Sequence, residues 1–136
     1  MSSNPRDVVT RIVNEVINGK NLALIDELYA PNYVGHQIPP PLPQNREGQK
    51  LFVGAFFEAF PDMRLTFEQE VIEGNRIAGL GYFTGTHKGP FNGIPPTGKR
   101  VQVSFMDLWR VENGKLAEYW GIVDVPSLLK QLGVMP

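Results

Sequence analysis

The sequence contains no cysteine, which excludes disulfides, thiolate nucleophiles and Cys-ligated zinc. It carries almost no net charge: 13 basic and 14 acidic residues leave −1. Such a chain has no field to gather phosphates or an anionic lipid surface, so neither nucleic acid nor a membrane is an expected partner. Long apolar runs are missing as well. The opening Met1-Ser2-Ser3-Asn4-Pro5-Arg6-Asp7 lacks the hydrophobic length of a signal peptide or membrane helix, and no later segment supplies it. The expectation is a cytoplasmic protein. Histidine is scarce, at 2 residues, and two histidines among scattered acids give no metal-ligand spacing. A small hydrophobic molecule is the partner these absences leave. With 136 residues, 42% of them hydrophobic, the chain fits one domain, 1–136, because two halves would each bury too little surface.

The first half reads as helix and the second as sheet. Val8, Val9, Ile12, Val13, Val16 and Ile17 recur at helical spacing over 5–18, with Pro5 suited to a first turn and Gly19 to a stop. Leu22, Ile25, Leu28 and Tyr29 share a face of a second helix over 22–29, which Pro31 ends. Pro39-Pro40-Pro41-Leu42-Pro43 admits neither helix nor central strand and forms a loop, a candidate lid. Leu51, Phe52, Ala55, Phe56, Ala59 and Phe60 predict a third helix over 47–60, closed by Pro61. Met63, Leu65 and Phe67 then alternate with polar residues, and Glu73-Gly74-Asn75 marks a turn before a strand over 77–86. A loop over 89–99 leads to a strand over 100–112, Asn113-Gly114 makes a hairpin, and 115–123 returns. Leu128, Leu129 and Leu132 predict a short final helix over 125–132.

A two-residue turn at Asn113-Gly114 on a regular ladder sets Trp109 opposite Glu118, Asp107 opposite Trp120, Phe105 opposite Ile122 and Val103 opposite Asp124. Alternation then puts Val101, Val103, Phe105, Asp107 and Trp109 on one face with Leu116, Glu118, Trp120, Ile122 and Asp124. Gln102, Ser104, Met106, Leu108 and Arg110 take the other. The first face mixes aromatics with three carboxylates that are costly to bury without a partner, as the lining of a pocket would. A carboxyl group among Phe105, Trp109 and Trp120 has its pKa pushed upward by desolvation, which makes it useful for proton transfer near neutral pH. Asp124 also suits the N-cap of the last helix, ahead of Val125-Pro126.

His36 stands between the helical hairpin and the proline-rich loop, a natural pocket mouth, where an imidazole can move a proton or bind a carbonyl oxygen. His87, at a strand end beside Lys88 and Gly89, suits a solvated or turn-stabilising role. Gly93-Ile94-Pro95-Pro96-Thr97-Gly98-Lys99 matches most of a phosphate-binding loop, but Arg100 stands where Ser or Thr is needed. Two prolines remove backbone donors and a strand follows instead of a helix. That motif is therefore rejected in favour of a rigid turn.

The run Gly85-Thr86-His87-Lys88-Gly89-Pro90-Phe91-Asn92-Gly93-Ile94-Pro95-Pro96-Thr97-Gly98-Lys99, followed by Asp107-Leu108-Trp109-Arg110, Glu112-Asn113-Gly114-Lys115, Glu118-Tyr119-Trp120, Asp124 and Leu128-Leu129, resembles the SnoaL-like polyketide and ester cyclase group of the nuclear transport factor 2-like superfamily. The resemblance runs from the helical hairpin with Tyr33-Val34-Gly35-His36 to the final helix. It implies an α+β fold, a cone-shaped, curved and mostly antiparallel sheet wrapped by about three N-terminal helices around a central pocket. It also implies a homodimer and the absence of cofactor and metal.

In cyclases of the group an aspartate at the end of the last strand is the general acid/base of an intramolecular aldol closure, and the resemblance assigns that part to Asp124. Related ketosteroid isomerases place a carboxylate at the position of Asp107 and a base near that of His36. Limonene epoxide hydrolase uses an Asp-Arg-Asp arrangement. The chain departs from these patterns in having His36 where an isomerase has its carboxylate base. It also has Ala78-Gly79-Leu80-Gly81-Tyr82 where bulkier side chains are expected, which predicts a wider cavity. The resulting expectation is a cofactor-independent cyclase or related lyase/isomerase acting on a hydrophobic carbonyl compound, with Asp124, Asp107 and His36 catalytic. Trp120, Trp109, Phe105, Tyr33 and Glu118 would bind substrate. An epoxide hydrolase and a non-catalytic pocket protein are the alternatives.

Overall fold

The computed structural model describes residues 4–134. Helix α1 (Pro5–Arg11) starts where the Asn4 side chain accepts from the Arg6 N–H, with Pro5 in the first turn, as a proline that needs no donor there should be. It continues through a wider π-helical stretch, Ile12–Ile17, in which Asn18 N–H reaches Val13 O at 2.8 Å. The apolar face of 5–18 is buried throughout, at Val8, Val9, Ile12, Val13, Val16 and Ile17. A single 3₁₀ turn, Leu22–Leu24, leads into α2 (Ile25–Leu28).

The chain then departs from its helical pattern. Tyr29 is already extended and opens strand β1 (Tyr29–Gly35), which the periodicity did not reveal. Pro31 lies within this strand, and β1 forms one edge of the sheet, where a missing donor is tolerated. Helix α3 (Arg46–Ala59) follows the proline-rich loop, capped by the Asn45 side chain on Gly48 N–H at 3.0 Å. Strands β2 (Arg64–Glu73), β3 (Arg76–Thr86), β4 (Arg100–Glu112) and β5 (Lys115–Val123) and helix α4 (Val125–Leu132) complete the chain.

The sheet runs β1-β5-β4-β3-β2. It is antiparallel except for the parallel pair β1 and β5, and it is curved and unclosed. Its concave face meets the helices over a core that includes Ile12, Ile25, Phe60, Ile77, Val103 and Leu116, all fully buried. This is the α+β architecture the sequence led us to expect. On β4, Val101, Val103, Phe105, Asp107 and Trp109 point inward and alternate with exposed or half-exposed neighbours, as a strand period of two requires.

The last hairpin corrects the expected register. Asn113 and Gly114 both adopt positive φ, 53° and 76°, the geometry of a two-residue turn, and Glu112 pairs with Lys115 and Val111 with Leu116. A bulge then intervenes: the next pair is Arg110 with Glu118, so Ala117 has no partner. Trp109 therefore faces Tyr119, Asp107 faces Gly121 and Phe105 faces Val123, not Glu118, Trp120 and Ile122. The physical reason lies in two adjacent residues, Leu116 and Ala117, that are both buried. A regular strand buries only alternate residues, and an inserted residue restores the core contact for both.

The loop over 89–99 is held by His87, which is fully buried instead of solvated. Its Nδ1 accepts the Thr97 backbone N–H at 3.1 Å, while its own backbone pairs with Lys99 and Gly98. Gly93 and Gly98 take positive φ of 81° and 72°, so the segment is the turn that its prolines and glycines imply. Asn45→Ala should cost the fold about 1 kcal/mol by stranding the Gly48 N–H in the first turn of α3. Urea denaturation of wild type and variant measures that loss.

Candidate active site

The helices and the concave sheet face enclose a cavity of about 480 Å³. Its walls are mostly apolar, with Phe52 and Phe56 from α3, Phe83 from β3 and Phe105, Trp109, Tyr119 and Gly121 from β4 and β5. Pro39 and Leu42 of the proline-rich loop and Pro90 to Asn92 of the His87-pinned loop complete the rim. Such a cavity suits an organic ligand of modest size.

Asp107 lies just behind this wall at 7% exposure, in contact with the lining residue Tyr119 and not itself part of the lining. Its Oδ2 accepts from the Tyr119 hydroxyl at 3.2 Å, and its Oδ1 has no hydrogen-bond partner. Glycines flank it on both neighbouring strands, Gly79 on β3 and Gly121 on β5. A Cβ on Gly79 would stand 2.6 Å from Asp107 Oδ1 and 2.6 Å from the Phe67 ring; one on Gly121 would stand 2.7 Å from the Tyr119 hydroxyl. The glycines thus make room for the carboxyl and for its phenol partner. This corrects the expectation that Gly79 and Gly81 widen the cavity: the space beside them is taken by Asp107, Phe67 and Phe105.

Burial pushes the Asp107 carboxyl up to about 7, against the lowering pull of Trp109 and Tyr119. Among the described residues no ion pair involves Asp107. Burial also holds the phenols of Tyr29, Tyr33 and Tyr119 above their ordinary range, so each remains a neutral donor. Asp107 is therefore a carboxyl group suited to exchange its proton near neutral pH, one hydrogen bond behind the cavity wall.

The other expected site residues are not gathered here. Glu118 and Trp120 point to the opposite face of the sheet because of the bulge. There His36 Nε2 meets Glu118 Oε2 at 2.6 Å and its ring stacks on Trp120 at 4.8 Å. Arg110 Nε donates to Glu118 Oε1 at 3.0 Å, and the Arg76 guanidinium covers Trp120 at 5.6 Å. His36 and Arg110 hold the Glu118 carboxylate below its usual range. This is a satisfied outer cluster of rings and charges, separate from the cavity.

Asp124 is exposed and caps α4, its side chain accepting from Ser127 N–H at 3.1 Å, and it does not line the cavity. Tyr33 is buried behind the wall, with its hydroxyl on Gln49 at 3.1 Å. Phe105 and Trp109 do line the cavity as expected. Residues missed at the sequence level are Tyr119, Gly121, Gln37 and Gln49. One available signal was Arg110: an arginine on the outer face needs a carboxylate there, and matching it to Glu118 demands the one-residue shift.

A curved mixed sheet folded with helices over an apolar cavity defines the nuclear transport factor 2-like class of α+β proteins. Within that class the chain belongs to the SnoaL-like polyketide cyclase family, whose signature matches residues 7–132. Its backbone is similar to that of TsrD from Streptomyces laurentii, at 25% identity over 96% of this chain and 95% of that one, with a TM-score of 0.85. It is 33% identical to IdmH from Streptomyces antibioticus, a candidate polyketide cyclase, over 96% and 99% of the two chains, with a TM-score of 0.83. It also resembles AclR from Streptomyces galilaeus, a candidate hydroxylase, at 26% identity over 97% and 86%, with a TM-score of 0.84. No curated protein sequence matches the chain. Among the described residues no helix is long and apolar enough to cross a membrane.

The raised carboxyl has a consequence for stability. Because the folded state holds the Asp107 proton more tightly than the unfolded chain, its contribution to stability falls as pH rises from about 4 to about 7 and is constant above that. Asp107→Asn should remove this fall. Chemical denaturation of both proteins at pH 5 and pH 8 should show a smaller difference between the two pH values in the variant.

Proposed function

We propose that this protein is a cofactor-independent acid/base enzyme of the polyketide cyclase type, acting on a hydrophobic carbonyl compound held in the cavity. The observation that carries the reading is Asp107, the single buried carboxyl among the described residues, unpaired with any arginine and bonded to Tyr119 of the cavity lining. One acid a single hydrogen bond behind an apolar cavity favours proton transfer through that bond. Hydrolysis of an epoxide would call for two acids sharing one water, and a purely structural acid would be paired with a cation. The acid/base role thus moves from Asp124 to Asp107.

The chemistry follows from that pair. The Tyr119 oxygen takes a proton from the carbon next to a carbonyl as its own proton passes to the Asp107 carboxylate, the resulting enolate carbon bonds to a second carbonyl carbon of the same molecule, and the proton returns by the same route to the new alkoxide. No proton is consumed overall, so one group that titrates near neutral pH serves both steps. Tyr119 stands between Asp107 and the cavity, and its single hydroxyl proton, held on Asp107 Oδ2 before reaction, is the one relayed between the carboxylate and the substrate. Phe105, Trp109 and the phenylalanines of α3 exclude water and align the chain of the substrate.

Turnover of aromatic polyketide precursors should fall by about 10²- to 10⁴-fold in Asp107→Asn and fall strongly in Tyr119→Phe, with ligand binding retained. Asp124→Asn should keep wild-type turnover. Steady-state kinetics with binding followed separately by calorimetry checks this, and binding without turnover in wild type itself would sink the enzyme reading for those compounds.

A further inference from the structure

The cavity has a second polar feature on the same side as Tyr119. Gln49 projects from α3 into an otherwise apolar interior at 6% exposure. Its Oε1 accepts twice, from the Tyr33 hydroxyl at 3.1 Å and from Gln37 Nε2 at 2.9 Å. Its amide also faces Tyr29, whose phenol it holds down against burial. Gln49 is thus spent on its neighbours. Gln37 is not: with its amide nitrogen committed to Gln49, its Oε1 is buried and has no hydrogen-bond partner. Gln37, Gln49 and Tyr29 all line the cavity.

The backbone around Gln37 is cut to admit this oxygen. A Cβ on Gly35 would stand 3.1 Å from Gln37 Oε1 and 2.7 Å from the Tyr33 hydroxyl, and Gly35 pairs directly with Tyr119 of β5. The unpartnered acceptor therefore sits one strand from the Tyr119 and Asp107 pair. A buried amide oxygen left without a donor is costly, and a ligand that brings a donor removes that cost. Phenols and other hydroxyls supply one; ketones and ethers do not.

We propose that Gln37 reads a hydroxyl group on the bound molecule, accepting its hydrogen at Oε1, while Gln49 acts as a positioning residue that fixes the Gln37 amide. This deepens the function proposed above, resting on the cavity as the ligand site though not on proton transfer at Asp107. The ligand class is a flat, mostly apolar compound with a hydroxyl on the edge that faces β1, beside the oxygen that meets Tyr119.

Binding of 2-naphthol and of its methyl ether, which keeps the ring and oxygen but has no donor, tests the assignment by amide chemical-shift titration. Wild type should prefer the naphthol by about tenfold, the scale of one buried hydrogen bond. Gln37→Met, at a half-exposed position that does not threaten folding, should bring the two affinities together while leaving the ether unchanged. Asp107→Asn should keep the preference. Equal affinities in wild type, including no binding of either probe, overturn the proposal, as does a preference that survives in Gln37→Met or disappears in Asp107→Asn. Loss of the acid/base reading in the turnover assays, with the preference intact, would leave the Gln37 assignment standing.

Discussion

The unpaired Ala117 governs which side chains of β5 enter the cavity. By letting Leu116 and Ala117 both reach the core, the bulge reverses the faces of everything that follows, because side chains on a strand alternate with a period of two. Tyr119 and Gly121 turn inward beside Trp109 and Asp107, and Glu118 and Trp120 turn outward. The reversal also settles the charges. Glu118 meets Arg110 and His36 on the open face, where a carboxylate retains solvent, instead of being buried among rings at large desolvation cost.

The inward face of the last hairpin then contains one acid in place of three. Asp107 occupies a slot that two glycines leave open, between the Phe67 ring and the Tyr119 hydroxyl. Desolvation raises its pKa and the nearby donors lower it, and desolvation wins. The same carboxyl on the solvated face would titrate as an ordinary acid. Burial that is unfavourable for the ionised group is thus the property that makes the group useful, and the fold tolerates it because the protonated form needs no counter-ion.

The solved relatives, among them a candidate cyclase and a candidate hydroxylase, share the backbone fold with this chain. Chemistry on a common scaffold is decided by the few polar atoms at the wall. Here the polar groups at and just behind the wall fall in two sets, Asp107 of β4 with Tyr119 of β5 and, beside the end of β1, Gln37 with Gln49 of α3 and Tyr33. The outer cluster of His36, Glu118, Arg110 and Trp120 is internally satisfied.

By itself the sequence determined the α+β class, the helices over 5–18, 47–60 and 125–132, the hairpin at Asn113-Gly114 and the inward face of β4, because each rests on local periodicity or local turn chemistry. It also pointed to Asp107, Phe105 and Trp109. Tertiary structure alone decided the inward face of β5, the edge strand that contains Pro31, and the direction of His36. Those choices depend on pairing between distant segments. Tyr119 and Trp120 are equally plausible as inward residues until Leu116 and Ala117 compete for the core, and one inserted residue exchanges them. His36 and Gln37 likewise differ by a single step in the turn after β1, and only the pairing of β1 with β5 sends the imidazole out to Glu118 and the amide in to Gln49.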